Sequence, residues 1–212
     1  MLADPPAASV DMPAPRWPDT PVARLEVLAL IQTLNADLLG HHSATLTLDR
    51  WCADHDLATP ATVIAERVAG VDKPATPEIR KALAVDAGTP VAYRAVRLKC
   101  GARVLSEADN WYVPSRLAPD MNKALETSDI AFGRAVQALN YSRRTLDATL
   151  LWSPLAPGWE KAGLPKGGGA ALAIPHHVLE HRAVLLLPDG TPFSLVVEDY
   201  TSAILDFPPP KG

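Results

Sequence analysis

Apolar positions along this chain keep one spacing in its front third and another after it. From Thr20 onward, Val27, Ile31, Leu34 and Leu38 recur three or four residues apart, the interval that lines one face of a helix. Thr20-Pro21 ahead of them supplies a capping hydroxyl and a proline suited to the first turn. Thr59-Pro60 and Thr76-Pro77 have the same form and predict shorter helices running to Val68 and Leu83. The stretch "ATLTLDRWCADHDL" predicts another helix from about Thr47, so the front third is expected to be helical.

From Pro90 the interval becomes two. Residues 91–100 and 104–113 flank Cys100-Gly101-Ala102, and residues 181–187 and 193–200 flank "PDGT". Each pair predicts a β-hairpin. Short helices are expected at 114–125 and 132–139, and a strand at 143–152. In that strand Leu146, Ala148, Leu150 and Trp152 alternate with Thr145, Asp147 and Thr149. Hairpins joined by short helices, without strand–helix–strand alternation, predict an antiparallel sheet in an α+β fold. The organisation expected is a flexible Pro/Ala-rich tail at 1–18, one α+β domain at 19–207, and a flexible tail at 208–212.

Composition narrows the partners. A net charge of −4 with no basic stripe argues against a nucleic-acid backbone. The longest apolar run is interrupted by Glu26, Gln32, Asn35 and Asp37, so no segment is expected to span a membrane. The first residues have neither a basic start nor an apolar stretch, so no signal peptide is read. The expected setting is a cytoplasmic monomer, or a periplasmic one if an export signal has been removed. Cys52 and Cys100 fall in different predicted elements without metal-like spacing and read as buried thiols, with a disulfide between them as the lesser alternative.

Two charges stand out by phase. Arg94 shares its side of the strand with Val96, Leu98 and Cys100, the apolar set. A guanidinium there either snorkels to solvent or pairs with a structural carboxylate, or it receives a ligand carboxylate. Glu198 falls in phase with Ser194, Val196 and Tyr200, and Asp199 with Phe193, Leu195 and Val197. Both strand faces are apolar enough to be covered, so periodicity leaves the inward choice between Glu198 and Asp199 open. A carboxyl there has its pKa raised by desolvation and lowered by a nearby arginine. Arg144 and Arg182, at the starts of later strands, are further anion partners in principle and read as structural.

Other motifs carry less. His177 and His181 would make a metal pair on a helix, but they lead into a strand, and no metal is expected. Lys166 precedes the glycines of "PKGGGAAL", the wrong order for a phosphate loop, so a flexible loop is expected. No G-x-S-x-G nucleophile elbow is present.

Arg94-Ala95-Val96-Arg97-Leu98 resembles the R-x-[VI]-x-L strand of the chorismate pyruvate-lyase family. A partner strand ending in Val113-Pro114 follows, then Thr127 with Phe132-Gly133, then Gly190-Thr191-Pro192 with Glu198. Nearer the front, "LLGHHSATLTL" is similar to the family's L-L-x-x-x-S-[ML]-T stretch through Ser43 and Thr45. The resemblance runs in consistent order over residues 34–205. Ala44 departs from it, standing where the family has a larger Met or Leu, and the helical segment from Asp54 to Ala87 is longer.

This resemblance implies a chorismate lyase-like antiparallel α+β fold and a cofactor-free elimination of pyruvate from chorismate, leaving 4-hydroxybenzoate. It implies that Arg94 grips the ring carboxylate and that Glu198 bonds the ring hydroxyl and manages a proton. Main-chain amides at Phe132 and Gly133 would help bind a carboxylate beside Ala44, and the front helices and the Phe132 segment would form lids. The same fold also serves as the effector-sensing domain of certain transcription regulators, which implies the alternative of non-catalytic binding of a small aromatic or cyclohexadiene acid. No DNA-binding helix-turn-helix is identified in the front third.

Overall fold

The computed structural model describes residues 17–169 and 171–210. Its centre is a six-stranded antiparallel sheet with the order β1-β2-β3-β6-β5-β4. The strands are β1 (Val63–Arg67), β2 (Ala92–Cys100), β3 (Arg103–Tyr112), β4 (Ser142–Leu150), β5 (His177–Leu186) and β6 (Pro192–Thr201). Two three-stranded meanders, β1-β2-β3 and β4-β5-β6, meet along a single seam where β3 pairs with β6. The fold is α+β, as the pattern of hairpins and short helices implied.

Helix α1 (Pro21–Gly40) begins where the sequence predicts it. The Thr20 hydroxyl accepts from the Ala23 amide, and Ala23, Val27, Ile31, Leu34 and Leu38 form its buried stripe. Helix α2 (Ala44–Asp54) starts three residues earlier than expected because Ser43 caps it, accepting from the Leu46 amide at 3.3 Å. Together α1 and α2 cover one sheet face, in a core shared with Leu98, Cys100, Leu179 and Tyr200. On the other face α3 (Pro77–Ala82) packs Ile79, with Leu83 just after it, against Trp111, Val184 and Leu195. The remaining helices, α4 (Pro119–Thr127), α5 (Phe132–Ala135) and α6 (Trp159–Ala162), lie in the connections.

Three expectations need correction. Thr59-Pro60 opens no helix; the segment after it is β1, with Val63 and Ala65 buried and Ile64 exposed. The β-branched pair Val63-Ile64 suits a pleated edge strand, and β1 pairs with β2 over five positions. Most of the predicted tail lies outside the described residues, but Trp17 and Pro18 belong to the fold. Trp17 is buried and its indole N–H donates to the Leu205 carbonyl, while Pro18 bridges Ala171.

Cys52 and Cys100 are not thiols but a disulfide across 48 residues that joins α2 to the end of β2. Such a bridge persists in oxidising surroundings and is reduced in most cytosols. The glycines at 167–169 lie in an exposed connection without helix or strand, where the Gly168 amide donates to Asp19 Oδ2 at 3.3 Å. Among the described residues no helix is long and apolar enough to cross a membrane.

Candidate ligand-binding site

Cross-strand pairing places Arg94 opposite Asn110, Ala108 opposite Glu198, and Glu198 opposite His181. These residues lie on the face that α1 and α2 cover. Glu198 is therefore the inward carboxylate, and Asp199 points to the opposite face. A cavity sits over the seam, with about 470 Å³ of empty space when its open mouth is included. Arg94, Val96, Asn110, Arg143, Val196 and Glu198 form its floor, and Ala44, Thr45, Phe132 and Gly133 reach it from α2 and α5. All five site residues named from the sequence (Arg94, Glu198, Ala44, Phe132 and Gly133) thus share one cavity. Thr127 does not reach it; its hydroxyl turns back to the Lys123 carbonyl at the end of α4.

Arg94 is 3% exposed. Its Nη2 donates to the carbonyls of Ile130 at 3.0 Å and Ser128 at 3.4 Å. Its Nε and Nη1, both buried, find no partner among the described residues. Burial, reinforced by the nearby Arg67 charge, pushes its pKa down to about 10. A buried cation with two unused donor nitrogens and carbonyl partners has donors to offer an anion.

Glu198 is held differently. Arg143 Nη2 donates to its Oε2 at 2.6 Å, with both side chains under a tenth exposed, and the Tyr200 hydroxyl donates to the same oxygen at 3.1 Å. Burial alone would lower the Arg143 pKa; the Glu198 carboxylate, together with the Tyr200 and Tyr141 hydroxyls, holds the value above the ordinary one. Burial and Glu198 together push the Tyr200 hydroxyl well up. Behind the pair, His181 is fully buried, and burial pushes it down to about 4. Its imidazole is neutral, with Nε2 donating to Asn35 Oδ1 at 2.8 Å. His177 and His181 do not converge, because β5 bulges between His177 and Leu179 and sends His177 to the other face.

Over the cavity, α5 seats on α2. Arg134 Nη2 meets Asp49 Oδ2 at 2.5 Å, and Asp49 Oδ1 also accepts from the Val63 amide at 2.7 Å. The fit is close at Gly133, where an added Cβ would lie 2.9 Å from Ser43 Oγ, 3.0 Å from the Tyr141 hydroxyl and 3.3 Å from Thr45 Oγ1. Ala44, at the start of α2, contributes only a methyl to the cavity lining.

Arg143, Asn110, Tyr141 and His42 also line the cavity and were not singled out from the sequence. Arg143 was missed for a definite reason. The alternation of Leu146, Ala148 and Leu150 puts even-numbered residues inward, which selects Arg144. A bulge between Thr145 and Asp147 reverses the phase, so the Arg143 side chain turns inward and is 4% exposed, while Arg144 and Leu146 are exposed. Adjacent arginines on one strand were the available signal, since either phase buries one of them. Neither Arg144 nor Arg182 reaches the cavity.

No known family model matches the chain. It is 58% identical over 197 residues to uncharacterized protein y4mC of Sinorhizobium fredii, covering 92% of this chain and 83% of that protein. The chain therefore belongs to the same family as y4mC.

Among solved structures it is similar to PhnF from Mycobacterium smegmatis (TM-score 0.46, 16% identity, 74% of this chain and 67% of that one). It is similar also to the effector domain of PhnF (TM-score 0.45, 16% identity, 70% and 88%). A third likeness is to YydK from Bacillus subtilis, a possible transcriptional regulator (TM-score 0.41, 18% identity, 71% of this chain). The chain spans less than two thirds of YydK, 62% of its length.

Proposed function

We propose that the cavity binds a small cyclic carboxylic acid and that the chain acts as a ligand-binding domain. The observation that carries this is Arg94, a buried guanidinium with two unpartnered nitrogens at the wall of a largely apolar slot. A carboxylate would accept from one of these two donors, which lie on different edges of the guanidinium, and a flat ring would lie between Val96, Val196 and Phe132. Glu198 offers the ring's far end an acceptor, its second oxygen Oε1. Its first oxygen is already held by Arg143 and Tyr200, an arrangement that favours fixed recognition over proton transfer.

The lyase chemistry implied by the family resemblance would use this same cavity, and chorismate separates the two readings. Titration with 4-hydroxybenzoate and with chorismate, followed calorimetrically while pyruvate is assayed, is the test. Saturable binding without pyruvate, weakened by Arg94→Ala, supports the binding domain. Pyruvate release abolished by both Arg94→Ala and Glu198→Gln would make the chain a lyase. Binding of neither compound would overturn the assignment of the cavity.

A further inference from the structure

Behind the sheet, on the face away from the cavity, a second group of side chains converges. His177 Nε2 lies 2.8 Å and His176 Nε2 3.4 Å from the same oxygen, Glu107 Oε2. The three potential ligand atoms lie within 4.8 Å of one another. Consecutive residues of a strand point to opposite faces, yet these two imidazoles stand together, ring centroids 4.4 Å apart. A bend at His176 and the bulge after His177 turn both rings to one side. Glu107 comes from β3 and His177 from β5, so the group reaches over β6, which lies between them.

The surroundings are rich in negative charge. Glu107 pairs across the sheet with Asp199, and Asp199 with Glu180, a row of carboxylates in which directly opposed like charges are unfavourable. Arg97 is the cation in contact with Glu107, through Oε1 at 3.4 Å, and it is shared with Glu66. Oε2 and both imidazoles therefore remain available to a further cation.

We propose that Glu107, His176 and His177 bind a divalent transition-metal ion of the zinc type. Two imidazoles and one carboxylate are a common three-ligand protein set for zinc, with the fourth position left to water. The ion would tie β3 to β5 across β6 and offset the carboxylate row. This site is independent of the cavity on the other face.

Tag-free full-length protein titrated with Zn²⁺ by calorimetry, and with Co²⁺ by visible absorption, tests the proposal. One ion per chain is expected, with a raised thermal midpoint when it is bound. His176→Ala, His177→Ala and Glu107→Gln should each weaken binding by more than about tenfold. The side chains are partly or largely exposed, so the metal-free variants should unfold where the wild type does, which keeps lost binding distinct from lost folding. His41→Ala, from the chain's other adjacent histidine pair, should bind normally. Absence of saturable binding, unchanged affinity in Glu107→Gln and His177→Ala, or loss in His41→Ala would each overturn the site.

Discussion

Replacing Arg94 by methionine should make the ligand-free protein more stable and weaken its binding of acids. Methionine keeps much of the stem's volume and removes the charge. Holding the guanidinium at about 10 instead of 12.5 corresponds to about 3 kcal/mol of unfavourable burial. Against this, Arg94→Met loses the bonds to Ile130 and Ser128, together worth about 2 kcal/mol. The net expectation is a gain of about 1 kcal/mol, or about 2–4 °C in the thermal midpoint for a chain of this size. The gain should be flat between about pH 5 and 9, where the arginine is charged in both states.

Urea unfolding with and without 4-hydroxybenzoate reads both halves of this prediction. Wild type should gain about 2.7 kcal/mol with ligand at one hundred times its Kd. Arg94→Met should gain at most about 0.9 kcal/mol at the same ligand concentration, its affinity being weaker by about 2 kcal/mol or more, roughly thirtyfold. A methionine variant less stable than wild type without ligand would show that Arg94 is satisfied by its present contacts. Equal ligand stabilisation in the two proteins would remove Arg94 from the site.

Three further outcomes are expected. His181 is held at about 4 against 6.5; between those values the unfolded chain takes up the extra proton, so its contribution is complete above pH 6.5 and lost as pH falls through 6.5 to 4. The loss totals about 3 kcal/mol and should vanish in His181→Gln; parallel pH profiles for the two proteins would contradict it. Cys52→Ser with Cys100→Ser opens a bridge spanning 48 residues, and the loop-entropy relation gives a cost of about 4 kcal/mol; an unchanged thermal midpoint would count against the bridge. Gly133→Ala places a methyl against three hydroxyls and should cost about 1–3 kcal/mol while weakening ligand binding. Gly40→Ala, where nothing lies within 4 Å, is the control for that denaturant comparison.

Much of this architecture was legible because its signals are local. The Thr20 cap, the apolar stripe of α1, and the alternation in β2 and β6 each report their own element. Phase alone identified Arg94 as inward; Glu198 against Asp199 needed the sheet, because β6 is apolar on both sides. Local signals failed where long-range pairing decides. Thr59-Pro60 carries a helix-start pattern, but the following residues pair with β2 and become an edge strand. Bulges hid the rest: one in β4 buries Arg143 in place of Arg144, and one in β5 separates His177 from His181. A bulge shifts phase by a single residue, and no periodicity count through it can be right on both sides. The disulfide was only the lesser reading for a related reason, since Cys52 and Cys100 meet only once a helix has been laid on the sheet.

The seam between the two meanders has a consequence for how occupancy and integrity are linked. Arg94 belongs to one meander, Arg143 and Glu198 to the other, and only β3 against β6 brings them together. A molecule held by both sides acts as a rivet: it cannot be gripped while the halves are apart, and once gripped it resists their parting. Hydrogen exchange at the β3–β6 amides should therefore slow on ligand binding more than exchange at the outer strands, β1 and β4.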